Sequence, residues 1–309
     1  MVSGADKVVI LLATFNGEEF LPEQLQSYRD QSHTNWELLI SDDGSTDQTV
    51  KLIEAFAKLV PQRVTLLQGP KQGHCKNFLS MVRVNDIDGE FFAYSDQDDI
   101  WAADKLARAI DQLAAVPTDI PALYFTRTAL ISGDGRLLGY SPLFMRASTF
   151  QNALVQSIGG GNTMVFNRAA KLALAAVPED ISVIAHDWWT YQVVTGIGGV
   201  AYFDPYPSIK YRQHHGNLVG ANTSLNQSLR RLWMLVHGRF LVWNDTNIAA
   251  LNEIRDLLSF SNLATLDQFA LARRSPLPKK LNLLWKSGVY RQTAFGNIGL
   301  VLGSIFGRI

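Results

Sequence analysis

Apolar positions run without a break from Val8 to Ala13 and close on Thr14, with β-branched residues prominent among them. A half-exposed strand alternates apolar and polar side chains, whereas an unbroken run suits a strand covered on both faces of a parallel sheet. The pattern then changes period. Glu18 to Gln31 reads as a helix, Trp36 to Ser41 as a strand, and Thr46 to about Leu59 as a helix with Asp47 in its first turn. Arg63 to Leu67 reads as a strand, Cys75 to Val84 as a helix and Glu90 to Ser95 as another strand. This alternation predicts an α/β fold: an open, mostly parallel twisted sheet with right-handed crossovers, flanked by helices, with its ligand at the carboxyl ends of the strands.

Beyond Trp101 the alternation loosens. Ala103 to Ala115 reads as a helix, Ala122 to Ile131 as a strand, and Gly159-Gly160-Gly161 as a turn leading into a strand from Thr163 to Asn167. Trp188 to Thr195 reads as a helix, and Val200 to Arg212 as two short strands broken by Pro205 and Pro207. From Leu225 onward the pattern is mostly helical, interrupted near Pro276 and Pro278. The expected division is a catalytic part over residues 1–222 and a helical, basic C-terminal region over 223–309. No internal repeat is visible.

Composition narrows the classes. Hydrophobic residues make up 47% of the 309 positions and charged ones 18%, so the chain can bury a sizeable core and is not of the disordered kind. Acidic and basic residues balance at 28 each, and no nucleic-acid partner is expected. Asp267 is the last acidic residue, yet Arg273, Arg274, Lys279, Lys280, Lys286, Arg291 and Arg308 follow it. The single cysteine, Cys75, excludes an internal disulfide and a cysteine-based zinc site and permits a reducing compartment. A polar start followed by a short apolar run suggests no export signal, and the longest apolar stretch, near Ile298 to Phe306, is half of a membrane span. A cytoplasmic location is expected, open to peripheral contact with the membrane's inner face.

Two acidic clusters sit where the sheet should present its ligand. Asp96-Gln97-Asp98-Asp99 follows the strand ending at Ser95. Gathered carboxylates repel unless a cation or a shared proton offsets them, and Mg²⁺ or Mn²⁺ is the natural oxygen-seeking partner. The plainer alternative is that Asp98 and Asp99 open the next helix. Asp42-Asp43-Gly44-Ser45 follows the second strand and reads either as turn chemistry or as an acceptor for the imide N–H of a uracil or thymine. Asp187, in Ala185-His186-Asp187-Trp188-Trp189, is an acid beside aromatic surface, suited to a general base or to a helix cap. Tyr211-Arg212-Gln213-His214-His215 offers a histidine for metal and an arginine for phosphate, or a solvated polar loop.

Taken in order, Leu12-Ala13-Thr14-Phe15-Asn16-Gly17, Ser41-Asp42-Asp43-Gly44-Ser45-Thr46-Asp47, Ser95-Asp96-Gln97-Asp98-Asp99-Ile100-Trp101 and His186-Asp187-Trp188-Trp189 resemble glycosyltransferase family 2, of the GT-A fold. With Tyr211-Arg212-Gln213-His214 they are similar to its bacterial rhamnosyltransferase-like members, over roughly residues 7–220. The resemblance implies a metal-dependent, inverting transfer from a nucleotide diphosphate sugar, with dTDP-L-rhamnose the first choice and UDP-sugars next. It implies a saccharide or lipid-linked acceptor in bacterial cell-surface polysaccharide synthesis. It implies nucleotide contacts from Thr14, Phe15, Asn16, Asp96 and an aspartate at 42 or 43, Mn²⁺ or Mg²⁺ on Asp96 and Asp98, and a catalytic base at Asp187. The histidine of the fourth pattern falls on His214. Position 215, often glycine in such proteins, is a second histidine, so either of His214 and His215 is open as the metal or phosphate contact. Lys105, Arg212, Asn162 and Trp188 are weaker candidates for diphosphate or acceptor contacts.

Two rival enzyme classes lack their signatures. The segment Ala13–Glu18 is neither the basic Gly-rich loop of a nucleotidylyltransferase nor a Gly-x-Gly-x-x-Gly. A saccharide-binding scaffold remains as the non-enzymatic alternative. In the tail, Leu281, Leu284, Trp285, Val289 and Tyr290 recur at roughly helical intervals with Lys280, Lys286 and Arg291 between them. That pattern suits an anionic lipid interface, a homo-oligomer contact or packing on the catalytic domain.

Overall fold

A computed structural model describes residues 6–214 and 239–309. Its strands are β1 (Val8–Thr14), β2 (Trp36–Asp42), β3 (Val64–Gln68), β4 (Phe91–Ser95), β5 (Ile100–Trp101), β6 (Ala122–Ser132), β7 (Leu137–Tyr140), β8 (Val165–Asn167) and β9 (Val200–Gln213). They form one sheet in the order β3-β2-β1-β4-β8-β6-β9-β5, with β7 paired to β6. β3, β2, β1 and β4 run parallel, as do β6 and β9, so most of the paired length is parallel. The short β8 is antiparallel to both β4 and β6 and joins the two halves.

The unbroken apolar run of β1 is explained by the two cores. Val8, Ile10 and Leu12 pack with Leu21, Tyr28, Ile53, Leu106 and Ile110, under the helices α1 (Leu21–Arg29), α2 (Thr49–Ala57) and α4 (Lys105–Leu113). Val9 and Leu11 face the other way, against Phe78 and Met81 of α3 (His74–Met81) and Trp189 of α7 (His186–Gly196). Side chains alternate faces along a strand, so only a sheet covered on both sides leaves all five of these residues 0% exposed. Each such burial contributes about 1.5–3 kcal/mol before chain entropy is counted. Between α4 and α7 lie α5 (Phe150–Ala153) and α6 (Arg168–Ala175).

Four helices close the described chain: α8 (Arg239–Glu253), α9 (Phe260–Arg274), α10 (Leu277–Ser287) and α11 (Ala294–Ile305). Their Ile248, Leu251, Leu266, Phe269, Leu284 and Leu300 belong to the same apolar cluster as Val9 and Phe78. The expected boundary between residues 222 and 223 lies outside the described residues. Among the described residues no helix is long and apolar enough to cross a membrane.

Two expectations need correction. Residues 200–213 form one strand rather than two, because register shifts against β6 absorb the prolines: Thr126 pairs with Asp204, Arg127 with Pro207 and Thr128 with Ile209. Bulges accommodate residues that cannot join a regular ladder. Asp98 and Asp99 do not open a helix, for the next element is β5, paired with Lys210 and Ile209 of β9, and α4 begins only at Lys105. The helix-dipole account of these acids is thereby removed.

Candidate active site

Three loops meet at the carboxyl ends of β1, β2 and β4. After β1 the chain turns at Asn16, which takes φ 47°, a left-handed conformation that asparagine tolerates better than most residues. The turn is fixed from both neighbours. Gln97 accepts from the Phe15 N–H at 2.9 Å and donates to the Phe15 carbonyl at 3.0 Å, while Ser45 Oγ accepts from the Asn16 N–H at 2.8 Å. A Cβ on Gly17 would come within 2.3 Å of Gln97 Oε1, so a larger residue there would displace the amide that fixes Phe15. Phe15 is left 56% exposed beside the site.

Asp42 organises the second loop. Its carboxylate accepts from Thr14 Oγ1 at 2.8 Å, Ser45 Oγ at 2.6 Å, Ser45 N–H at 2.8 Å and Gly44 N–H at 3.1 Å. Both Asp42 and Thr14 are buried with their side chains engaged in this way. Asp43 is more accessible, and accepts the N–H groups of Lys71 at 2.6 Å and Gly73 at 3.0 Å.

The third loop carries the acidic cluster. Oxygens of Asp96, Asp98 and Asp99 all lie within 4.8 Å of one another. Asp99 is fully buried: Asn162 Nδ2 donates to it and the Arg212 N–H donates to it at 3.2 Å, yet burial, then the charges of Asp98 and Asp96, hold its carboxyl well above the usual carboxylate range. Asp98 Oδ2 lies 2.8 Å from His214 Nε2. Among the described residues the Asp96 carboxylate accepts no hydrogen bond. Burial, then the charges of Asp98 and Asp187, push it up to about 8. A carboxylate so short of positive charge, next to a second one, fits a hard divalent cation, which takes oxygen ligands and leaves places for phosphate.

Asp187 lies in the first turn of α7. Burial raises it to about 6, against the opposing effect of N–H groups of Trp188, Gly161 and Asp187 itself; the Trp188 N–H is 2.6 Å away. The Gly160–Asn162 turn therefore touches both halves of the site, holding Asp187 through the Gly161 N–H and Asp99 through the Asn162 side chain. Beneath the turn, His186 stacks on Phe78 at 4.1 Å, and a Cβ on Gly161 would come within 2.2 Å of its Nε2. Burial drives His186 down to about 3, so its ring is neutral.

The side chains of several expected contacts are engaged within the protein. Lys105 is 0% exposed, its ammonium 3.9 Å from the Trp101 ring centroid with no hydrogen-bond partner among the described residues, and burial lowers it to about 7. Arg212 is 1% exposed and donates to the carbonyls of Asp98 and Gly133 and to Glu23, so it braces the acidic loop. Trp188 turns its indole N–H to the Ala153 carbonyl at 2.6 Å and packs on Trp243. Asn162 is committed to Asp99, and the Thr14 hydroxyl to Asp42. His215 lies outside the described residues. Conversely, the role of Gln97 has no local signal in the sequence, because it depends on a contact 82 positions away along the chain, to Phe15.

A parallel sheet carrying carboxylates at its strand ends and a separate acid on a facing helix defines the GT-A class of glycosyltransferases, and solved structures share the fold. The mannosyltransferase PcManGT from Pyrobaculum calidifontis, in complex with GDP-Man and Mn²⁺, superposes with TM-score 0.53 at 19% identity over 98% of this chain and 86% of that one. S. aureus TarS, in complex with UDP-GlcNAc, gives TM-score 0.53 at 17% identity over 92% and 93%. Residues 9–169 match glycosyl transferase family 2, and the chain belongs to that family. The dTDP-rhamnosyl transferase RfbG of Shigella flexneri is 30% identical over 72% of this chain and 78% of its own length.

Proposed function

We propose that the protein transfers a sugar from a nucleotide diphosphate donor with inversion, and that the donor is dTDP-L-rhamnose. The observation that carries the reading is the pairing of two unlike acids: Asp96 in the strand-end cluster, and Asp187 on a facing helix close enough for its charge to act on Asp96. Similarity to a dTDP-rhamnosyl transferase supports the choice of donor. A UDP-sugar is the second choice, favoured by the fold shared with a UDP-GlcNAc complex.

In this reading the base stacks at the exposed Phe15 ring, and Asp43 accepts the imide N–H, being more accessible than Asp42. Asp96 and Asp98, with His214 at Asp98, hold Mn²⁺ or Mg²⁺, which when bound neutralises the diphosphate. Asp187 removes the proton of an acceptor hydroxyl as its oxygen attacks the anomeric carbon opposite the leaving group. The C1–O bond to the diphosphate breaks as the new glycosidic bond forms, so one displacement inverts the centre without a covalent intermediate. Burial suits Asp187 to this task by raising its basicity toward neutral pH. The acceptor is a saccharide or lipid-linked saccharide of bacterial cell-surface polysaccharide synthesis, and the C-terminal region brings the catalytic part to the membrane.

Thermal stability against a panel of nucleoside diphosphates, each with and without Mn²⁺, tests the donor site, since a ligand that binds only the folded state raises Tm. A Mn²⁺-dependent rise with dTDP that exceeds that with UDP, and is lost in Asp96→Ala, supports the reading. A larger rise with UDP selects the second donor. No rise with any nucleotide favours a saccharide-binding scaffold.

A further inference from the structure

The last helix is packed with its less apolar side inward. Leu300, Gly303 and Ser304 of α11 are buried, whereas Phe295 is 87% exposed, Ile298 55%, Leu302 45% and Phe306, just past its end, 72%. Val301 and Ile305 are exposed as well. These positions follow the three- and four-residue spacing of one helical face. No charged residue occurs from Gln292 to Gly307, and arginines bracket the segment at 291 and 308. An outward face of two phenylalanines and four aliphatic residues has no energetic justification in water and marks a contact surface.

The stripe expected from sequence is not that surface. Leu284 is buried, Val289 packs on the core, and the Tyr290 hydroxyl donates to the Ala147 carbonyl; of that set Trp285 stands out, 81% exposed.

We infer that the outward face of α11 lies in the interface of an anionic bilayer. A helix of 12 residues is about 18 Å long, too short to cross and long enough to lie in the headgroup boundary. Charge selects the occupant. No acidic residue follows Asp267, while Arg274, Lys279, Lys286 and Arg308 are exposed. Two copies joined through this face would bring the cations that bracket it together, whereas anionic headgroups neutralise them. The inference deepens the membrane contact proposed above and is read without any transfer reaction, so its failure and that of the donor assignment are separable.

Co-sedimentation of the full chain with phosphatidylcholine vesicles, with and without phosphatidylglycerol, is the test. Binding is expected to the phosphatidylglycerol vesicles, reduced about tenfold or more in the triple variant Phe295→Ser, Ile298→Ser, Phe306→Ser and by high salt. All three positions are exposed, so Tm and the nucleotide-induced Tm shift of the variant should match the parent. Equal binding by parent and variant, or equal binding to both vesicle types, overturns the inference. Light scattering supplies the other arm: a dimer of the parent that becomes a monomer in the triple variant assigns the face to a second copy and overturns the bilayer.

Discussion

His214 Nε2 lies 2.8 Å from Asp98 Oδ2, and its ring sits 4.9 Å from that of Phe20. The contact joins the end of β9 to the acidic loop after β4, residues 116 positions apart. It fixes how the Asp98 carboxylate points, whether or not the imidazole also meets the metal.

His214→Ala is therefore expected to raise the Mn²⁺ concentration for half-maximal activity by about 10–100-fold, the usual range for residues that orient metal ligands. Rate at saturating Mn²⁺ should stay within a few-fold. A metal titration at fixed donor concentration checks this, and an unchanged midpoint removes His214 from the metal site.

As the proposed general base, Asp187 would act only when ionised, and burial raises it to about 6. The turnover rate is expected to climb with pH through about 6 and then level off. Asp187→Asn should abolish transfer while preserving the Mn²⁺-dependent Tm shift with nucleotide. Because the folded carboxyl binds its proton more tightly than the unfolded one, its ionisation lowers stability as pH rises from about 4 to about 6. At pH 7 the Asn variant should therefore melt at or above the parent temperature. Transfer at near-parental rate would show that another group is the base.

The two neighbouring aspartates should separate cleanly. Asp42→Ala removes an acceptor that serves four donors, and an expected loss of about 2–4 kcal/mol appears as a fall in Tm of several degrees. Asp43→Ala should chiefly raise KM for the donor. Similar effects from both would mean that the loop acts as a unit.

Gly161→Ala drives a Cβ into His186 in a packed region and should cost about 1–3 kcal/mol with a loss of transfer, since the same turn holds Asp187 and Asp99. Adding His186→Ala opens the space and should restore part of the stability. Thermal melts of the single and double variants measure the coupling.

Strand and helix order through Ser95 was legible because burial on both faces leaves a periodic record in the chain. The acidic clusters were legible too, since Asp42 and Asp96 fall just after, or at the very end of, apolar runs. Contact identity was not. Lys105 and Arg212 look like phosphate ligands by residue type, yet one is sealed against Trp101 and the other is spent on Gly133, Asp98 and Glu23. Charge is written in the sequence, but exposure is set by whatever packs above it.

The sequence alone determined the alternating core, the strand-end carboxylates and the acid-free C-terminal region, each carried by residues adjacent in the chain. The tertiary structure decided which of those groups face outward. The pairing of Asp99 with Asn162, the closeness of Asp187 to Asp96 and the outward face of α11 all depend on packing between segments far apart in the chain, and local periodicity holds no record of such contacts.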